Sequence, residues 1–217
     1  KEVVYDWRIR SDNSSITQQK ERYVDVRDRL AAIDCVAKLL QEAGKESTRI
    51  AWLARTLGPD LGQYYSLIPR VDDKYWKELQ RGVERLAADL DDAVLNEMSP
   101  HHKILVRLIG SADRKNAEKV VLHLAEYGHS FEIEKDHSGL TAKPAYLEDI
   151  DYIPEPGLMR VEPKNLSVKS RLTAMRKTGP RSMEISGYAF IEGLSPKYYP
   201  GVPRVELIDI LSSQRIE

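Results

Sequence analysis

Apolar residues recur at alternating spacings of three and four over about half of this 217-residue chain, and this periodicity constrains the fold most. A helix with 3.6 residues per turn brings positions at that spacing to one side. The clearest members are Tyr23, Val26, Leu30, Ile33, Ala37 and Leu40 in one stretch, and Trp76, Leu79, Val83, Leu86, Leu90 and Val94 in another. The sequence therefore predicts amphipathic helices that pack into a bundle over residues 21–128.

Capping and breaking residues set the ends of the first predicted helix. Ser15 and Gln18 have the spacing of a capping box, in which both side chains satisfy free backbone N–H groups. We therefore expect this helix to begin near Ile16. Gly44 tolerates the left-handed conformation of a helix C-terminus, so the helix is expected to end there.

Similar signals divide the rest of the bundle. Asp72 is a good N-cap for the second long helix, whose apolar pattern continues through Val94. The apolar run at residues 104–109 fits a strand or a helix. We predict a helix because another helical pattern follows at once, with Asp113 as its N-cap.

The periodicity changes after Gly128, where apolar residues alternate with polar ones. Such alternation is typical of strands with one buried face. This pattern predicts a hairpin and a proline-rich linker over residues 129–157. Over residues 158–217 it predicts a sandwich-like β module, which is short for a complete sandwich. The predicted fold class is α+β, a mostly helical bundle followed by a small antiparallel β section.

Composition narrows the classes of partner and compartment. The formal net charge of -1 disfavours a general nucleic-acid binder, which carries an excess of basic residues. The single cysteine, Cys35, makes no internal disulfide and lies within an apolar helical pattern, so we expect it to be buried. Because no apolar run is long enough to span a bilayer, a cytoplasmic location is expected, with attachment to the inner face of the membrane as a variant.

The N-terminal segment contains a candidate anion site. Arg8 and Arg10 point to the same side of an extended chain, where two guanidinium groups can grip a phosphate or diphosphate. Ser14, Ser15 and Thr17 lie where a helix is expected to start, and free N–H groups at a helix N-terminus favour phosphate. The alternative is that Ser15 is only a helix cap and the arginines are only surface charges.

Other titratable clusters carry weaker signals. Asp72-Asp73 and Asp89-x-Asp91 offer paired carboxylates, but they fall within helical patterns, so solvated helix surface is the preferred interpretation. The histidines lack the spacing of a helical zinc site. They are His101, His102, His123, His129 and His137. We expect His101 and His102 to cap or flank the start of a helix.

Three short motifs resemble bacterial family-2 glycosyltransferases, most closely the actinobacterial branch that acts on cell-wall and surface polymers. They are residues 5–10 (Tyr-Asp-Trp-Arg-Ile-Arg), residues 13–17 (Asn-Ser-Ser-Ile-Thr) and residues 183–193. The resemblance implies that residues 1–20 trail a catalytic domain and that the remainder is its C-terminal accessory region. It also implies that Arg8, Arg10, Ser14, Ser15 and Thr17 border the site for the donor diphosphate or the anionic acceptor.

The same resemblance sets expectations for cofactors and partners. The nucleotide-sugar core, its divalent metal and its catalytic base are expected in the preceding domain, so this chain is expected to hold no cofactor and to be inactive alone. Nucleotide-sugar and acceptor polymer would be bound through that domain. The alternatives are a non-enzymatic helical and β interaction module, or a carbohydrate-binding or oligomerisation module that self-associates through its β section.

Overall fold

The computed structural model describes residues 19–88, 90–137, 139–155, 157–180 and 182–195, and the backbone of residues 207–208 and 215–216. Its α-helices are α1 (Tyr23–Glu42), α2 (Glu46–Arg55), α3 (Leu61–Tyr65), α4 (Asp73–Ala87), α5 (Asp92–Leu95), α6 (Pro100–Gly110) and α7 (Arg114–Tyr127). Its strands are β1 (Glu132–Asp136), β2 (Gly139–Lys143), β3 (Arg160–Val161), β4 (Val168–Gly179), β5 (Ser182–Ile191), β6 (Leu207–Ile208) and β7 (Arg215–Ile216).

The first long helix starts later than its sequence pattern indicates. Residues 19–22 form a turn, in which the Arg22 N–H donates to the Gln19 carbonyl at 3.0 Å, and α1 begins at Tyr23. The prediction of a start near Ile16 is therefore wrong for this helix. A tertiary contact explains the difference, because the Tyr75 hydroxyl on α4 donates to the Lys20 carbonyl at 3.0 Å. Gly44 follows the helix with a φ of 62°, as expected.

Cys35 is exposed on α1, so the prediction of a buried cysteine is wrong. The buried residues of this helix are Val26, Leu30 and Ile33. Two residues beyond Ile33 correspond to a rotation of about 200° around the helix axis. That rotation carries Cys35 to the side of α1 that faces solvent.

The second long helix ends earlier than its apolar spacing predicts. α4 stops at Ala87 rather than continuing to Val94, and a separate short helix, α5, follows. The carboxylate of Asp91 accepts the Val94 N–H at 2.9 Å and so caps that new helix. Aspartate competes with the helical backbone in this way, which explains the break.

The apolar run at residues 104–109 is helical, as predicted, and lies in α6 at the centre of the bundle. Ser99 caps this helix, with Pro100 at its first position. Neighbours cover it on nearly every side, and its buried aliphatic residues are Ile104, Leu105, Val106, Leu108 and Ile109. Burial all round removes the polar face that normally distinguishes a helix from a strand by periodicity.

The β strands form small antiparallel sheets, which confirms the α+β class. β1, β2 and β3 pair in that order, and β2 and β3 share the apolar core of the helices through Ala142 and Val161. β4 and β5 pair as a long two-stranded ribbon, and β6 pairs with β7. The sandwich-like arrangement of the last section stays a prediction, as do the domain boundaries.

Candidate functional site

The predicted anion-site residues Arg8, Arg10, Ser14, Ser15 and Thr17 all lie outside the described residues. What the structure describes is the place where that segment joins the bundle. There, a cleft of about 610 Å³ lies between the start of α1 and the start of α3. It is lined by Gln19, Lys20, Arg22, Val24, Asp25, Asp28, Arg29, Asp60, Gln63 and Tyr64.

Hydrogen bonds from two helices fix the chain at the edge of this cleft. The Lys20 carbonyl accepts from Tyr75, and the Lys20 ammonium donates to the side-chain oxygen of Gln63. On the cleft wall, the Tyr64 hydroxyl donates to the Asp25 carboxylate at 2.8 Å. Lys20 is therefore held in place by both α3 and α4.

Tyr64 is a permanent hydrogen-bond donor in this wall. Burial, together with the hydrogen bond to the neighbouring Asp25 carboxylate, raises the pKa of the Tyr64 hydroxyl well above its usual value. A neutral phenol beside a carboxylate can orient a polar ligand but does not act as a base near neutral pH. Sequence patterns did not single out Tyr64 or Asp25, because one is an aromatic core position and the other an ordinary helix-surface acid.

The cleft combines charges of both signs. Lys20, Arg22 and Arg29 face Asp25, Asp28 and Asp60 in its lining. Arg29 lies 3.8 Å from Asp60, while Asp28 is engaged by Arg27, which lies outside the cleft, at 2.7 Å. Balanced charges of this kind suit a polar protein surface or a ligand with both donors and acceptors, rather than a bare metal ion.

His101 is the buried centre of a second polar site, which it forms with His129 and Tyr146. Nε2 of His101 lies 2.8 Å from the His129 carbonyl, which can only accept, so this nitrogen carries the proton. Nδ1 then accepts from the Tyr146 hydroxyl at 3.0 Å. Burial lowers the pKa of His101 to about 4, although the hydrogen bond to the His129 carbonyl acts in the opposite direction. A neutral imidazole with both nitrogens engaged acts as a clamp between α6 and the segments around it.

His102 is held against the kink between α2 and α3. Its Nδ1 lies 2.8 Å from the Ser99 hydroxyl, and burial lowers its pKa to about 4. A Cβ placed on Gly58 would lie 3.2 Å from the same nitrogen. We expected His101 and His102 only to cap or flank a helix start. Both lie in the first turn of α6, but the fold buries His101 and half-buries His102. Gly58 and Gly62, which approach the His102 ring, were the sequence signal for the packing of His102.

Two of the paired carboxylates found in the sequence, Asp72 and Asp91, serve as helix caps, while Asp73 forms an ion pair with Arg114 at 2.8 Å. Asp72 accepts the Tyr75 N–H at 2.8 Å, and Asp91 caps α5. Over the residues that the structure describes, no group of three or more histidine, cysteine or acidic side chains could hold a metal ion.

Comparisons with known proteins do not assign this protein to a class. No family model, curated protein or solved structure matches the chain. Among the described residues, no helix has the length and apolar character needed to cross a bilayer.

Proposed function

We propose that this chain is the C-terminal accessory portion of a family-2 glycosyltransferase that transfers a sugar from a nucleotide-sugar donor to a cell-wall or surface polymer. The observation that carries the proposal is the position of the aromatic and basic motif at residues 5–10, directly before an anchored helical bundle. On its own the chain is inactive, because the nucleotide-sugar core belongs to the preceding domain.

The bundle acts as a buttress in this proposal. Tyr75 and Gln63 hold the backbone and side chain of Lys20, so the motif would project from a fixed point. Arg8 and Arg10 would then reach the donor diphosphate or the anionic acceptor from the rim of the active site, as paired guanidinium groups grip phosphate. The charged cleft beside Lys20 is the surface that would contact the catalytic domain.

The test uses the intact enzyme, that is, this chain together with the upstream catalytic domain. Replacing Arg8 and Arg10 by alanine should lower kcat/KM by about 10- to 100-fold, as expected for the loss of one or two charge-assisted contacts. The matched control is Arg81→Ala, which removes an exposed arginine of α4. Equal turnover and donor affinity in all three proteins would refute the assignment of the arginines.

A non-enzymatic module is the second candidate, and one feature of the β section favours it. The rings of Tyr188 and Phe190 stack with centroids 6.0 Å apart and are about half exposed on β5. Exposed aromatic rings are suited to stacking on sugars. Glycan binding by the chain alone, lost on Tyr188→Ala, together with a reading frame that encodes no upstream catalytic domain, would favour this candidate.

A further inference from the structure

The ribbon formed by β4 and β5 exposes a continuous apolar face. Over the residues that the structure describes, both strands are exposed along almost their whole length, and neither pairs with a third strand. The apolar face consists of Val168 (66% exposed), Leu172 (59%), Met175 (62%), Met183 (51%) and Ile185 (39%). A surface of this kind, in which large apolar side chains are contiguous, marks an interaction site.

A β-bulge keeps these residues on one side. Leu172 pairs with Gly187 and Ala174 pairs with Ser186, so Thr173 is an extra residue in β4. The bulge reverses the alternation of β4 and brings Met175 onto the same face as Leu172. Gly187 is required at this point because a Cβ there would lie 2.6 Å from the Arg171 carbonyl.

The opposite face of the ribbon carries the charges. Cross-strand partners share a face, and this one pairs Lys169 with Phe190, Arg171 with Tyr188 and Arg176 with Glu184. The Arg176–Glu184 ion pair spans 2.8 Å on this side. The ribbon is therefore amphipathic, with aliphatic side chains on one face and aromatic rings and most of its cations on the other. Lys177, which pairs with Met183 near the turn, lies on the aliphatic side.

A two-stranded ribbon is marginally stable without a covering layer. With 12 residues in β4, the ribbon is about 40 Å long and about 10 Å wide, so one face covers about 400 Å² in projection. Two such faces packed together cover about 800 Å² in projection, and more in accessible area, which approaches the roughly 1,000 Å² of a stable protein interface. The apolar face is thus close in size to the smallest stable dimer contacts.

We propose that the covering layer is the same ribbon of a second copy of this chain, packed apolar face to apolar face as a four-stranded, two-layer sandwich. Two identical sheets pack at about 10 Å with their apolar faces inward. In this arrangement Lys169, Arg171 and Arg176 of each copy point away from the contact, and Lys177, at the turn end of the apolar face, would keep its ammonium at the rim. The proposal is independent of the glycosyltransferase assignment.

The position of the cations favours a second copy over a membrane surface. Docking of the apolar face on a bilayer would turn Arg171 and Arg176 away from the lipid headgroups. Amphipathic membrane binders instead place cations within reach of anionic lipid. A protein layer needs no such contact.

The experiment measures the dimer dissociation constant of the 217-residue chain by sedimentation equilibrium. Ile185→Glu places a charge in the apolar face and should weaken the dimer at least tenfold. The matched control is Ser186→Glu, which adds the same charge one residue away on the opposite face and should leave the dimer intact. Two results would overturn the proposal. One is an equal increase of the dimer dissociation constant in both variants. The other is a wild-type chain that is still monomeric at about 100 µM, a concentration at which weak interfaces form.

A double variant separates loss of the dimer from loss of the ribbon. Met175 pairs directly with Ile185, so Met175→Lys with Ile185→Glu adds a cross-strand ion pair that supports the ribbon while charging its apolar face. This variant should retain the strand signal in circular dichroism and remain monomeric. A double variant that still dimerises, or a monomeric wild type that sediments with vesicles containing anionic lipid, contradicts the second-copy assignment.

Discussion

Two histidines, the buried His101 and the half-buried His102, make the stability of this protein depend on pH at the scale of single residues. His101 and His102 are neutral in the folded state, and burial lowers the pKa of each to about 4. In the unfolded chain a histidine titrates near 6.5. Between these values the unfolded state binds more protons, so stability is complete above about pH 6.5 and is lost as the pH falls towards 4.

The first prediction tests this titration with His101→Gln, whose amide can keep both hydrogen bonds but does not titrate. The free energy of unfolding of the wild type should fall between pH 6.5 and 4.5, by up to about 1.4 kcal/mol per pH unit for each buried histidine. Urea denaturation at several pH values should give a shallower slope for His101→Gln. His137→Gln, at an exposed turn, is the control and should reproduce the wild-type slope. Parallel slopes in all three proteins would contradict the assignment.

A second prediction at this scale concerns Cys35. Because its side chain faces solvent on α1, the thiol should react with Ellman's reagent in the folded protein to one equivalent without denaturant. The chain contains a single cysteine, so Cys35→Ser gives the blank. A thiol that reacts only after urea is added would show that this side of α1 is covered in solution.

At the scale of elements, α1 and α4 pack tightly against each other at Gly82. A Cβ on Gly82 would lie 2.5 Å from the side chain of Leu30, which is 1% exposed. Because Gly82 has no side chain, α4 leaves a space at this position, and Leu30 of α1 fills it. Close packing of this kind leaves no room for added atoms.

The third prediction follows from that contact. Gly82→Val should lower the free energy of unfolding by about 1–3 kcal/mol, since overpacking costs more than the gain in helix propensity. Gly110→Ala is the control, because a Cβ there has Glu84 as its nearest neighbour, at 4.0 Å, and should stabilise by about 0.4–1 kcal/mol. Thermal or urea unfolding measures both changes, and equal effects of the two substitutions would disprove the packing argument.

At the scale of the whole molecule, the helices and the three-stranded sheet share one core. Leu158, Met159 and Val161 belong to the same buried cluster as the residues of α6. Lys103 of α6, which is 2% exposed, links the helices to the sheet, because its ammonium donates to the Arg160 carbonyl of β3 at 2.8 Å. The ribbon lies outside this cluster, since its large side chains are exposed.

The fourth prediction is that helices and sheet unfold together. Leu158→Ala should cost about 2–5 kcal/mol and should reduce the hydrogen-exchange protection of α6 amides as much as that of β2 amides. Leu172→Ala, on the exposed ribbon, should leave the protection of α6 unchanged. Faster exchange confined to the sheet after Leu158→Ala would show that the two parts unfold separately.

Sequence periodicity determined the helical bundle, the hairpin at β1 and β2, the strands of the ribbon and the α+β class, because burying one face imposes a period of 3.6 or 2 on the residues themselves. The caps at Asp72 and Asp113 followed from local chemistry in the same way. The anion site at Arg8 and Arg10 stays a prediction, since it lies outside the described residues.

Tertiary contacts alone decided the remaining features. Tyr75 holds the Lys20 carbonyl and so fixes the chain ahead of α1, while contacts with Tyr146 and the His129 carbonyl enclose His101. The cleft beside Tyr64 joins residues 39 positions apart, through the hydrogen bond from Tyr64 to Asp25. A one-dimensional pattern records which face of an element is apolar, but not which distant element will cover it.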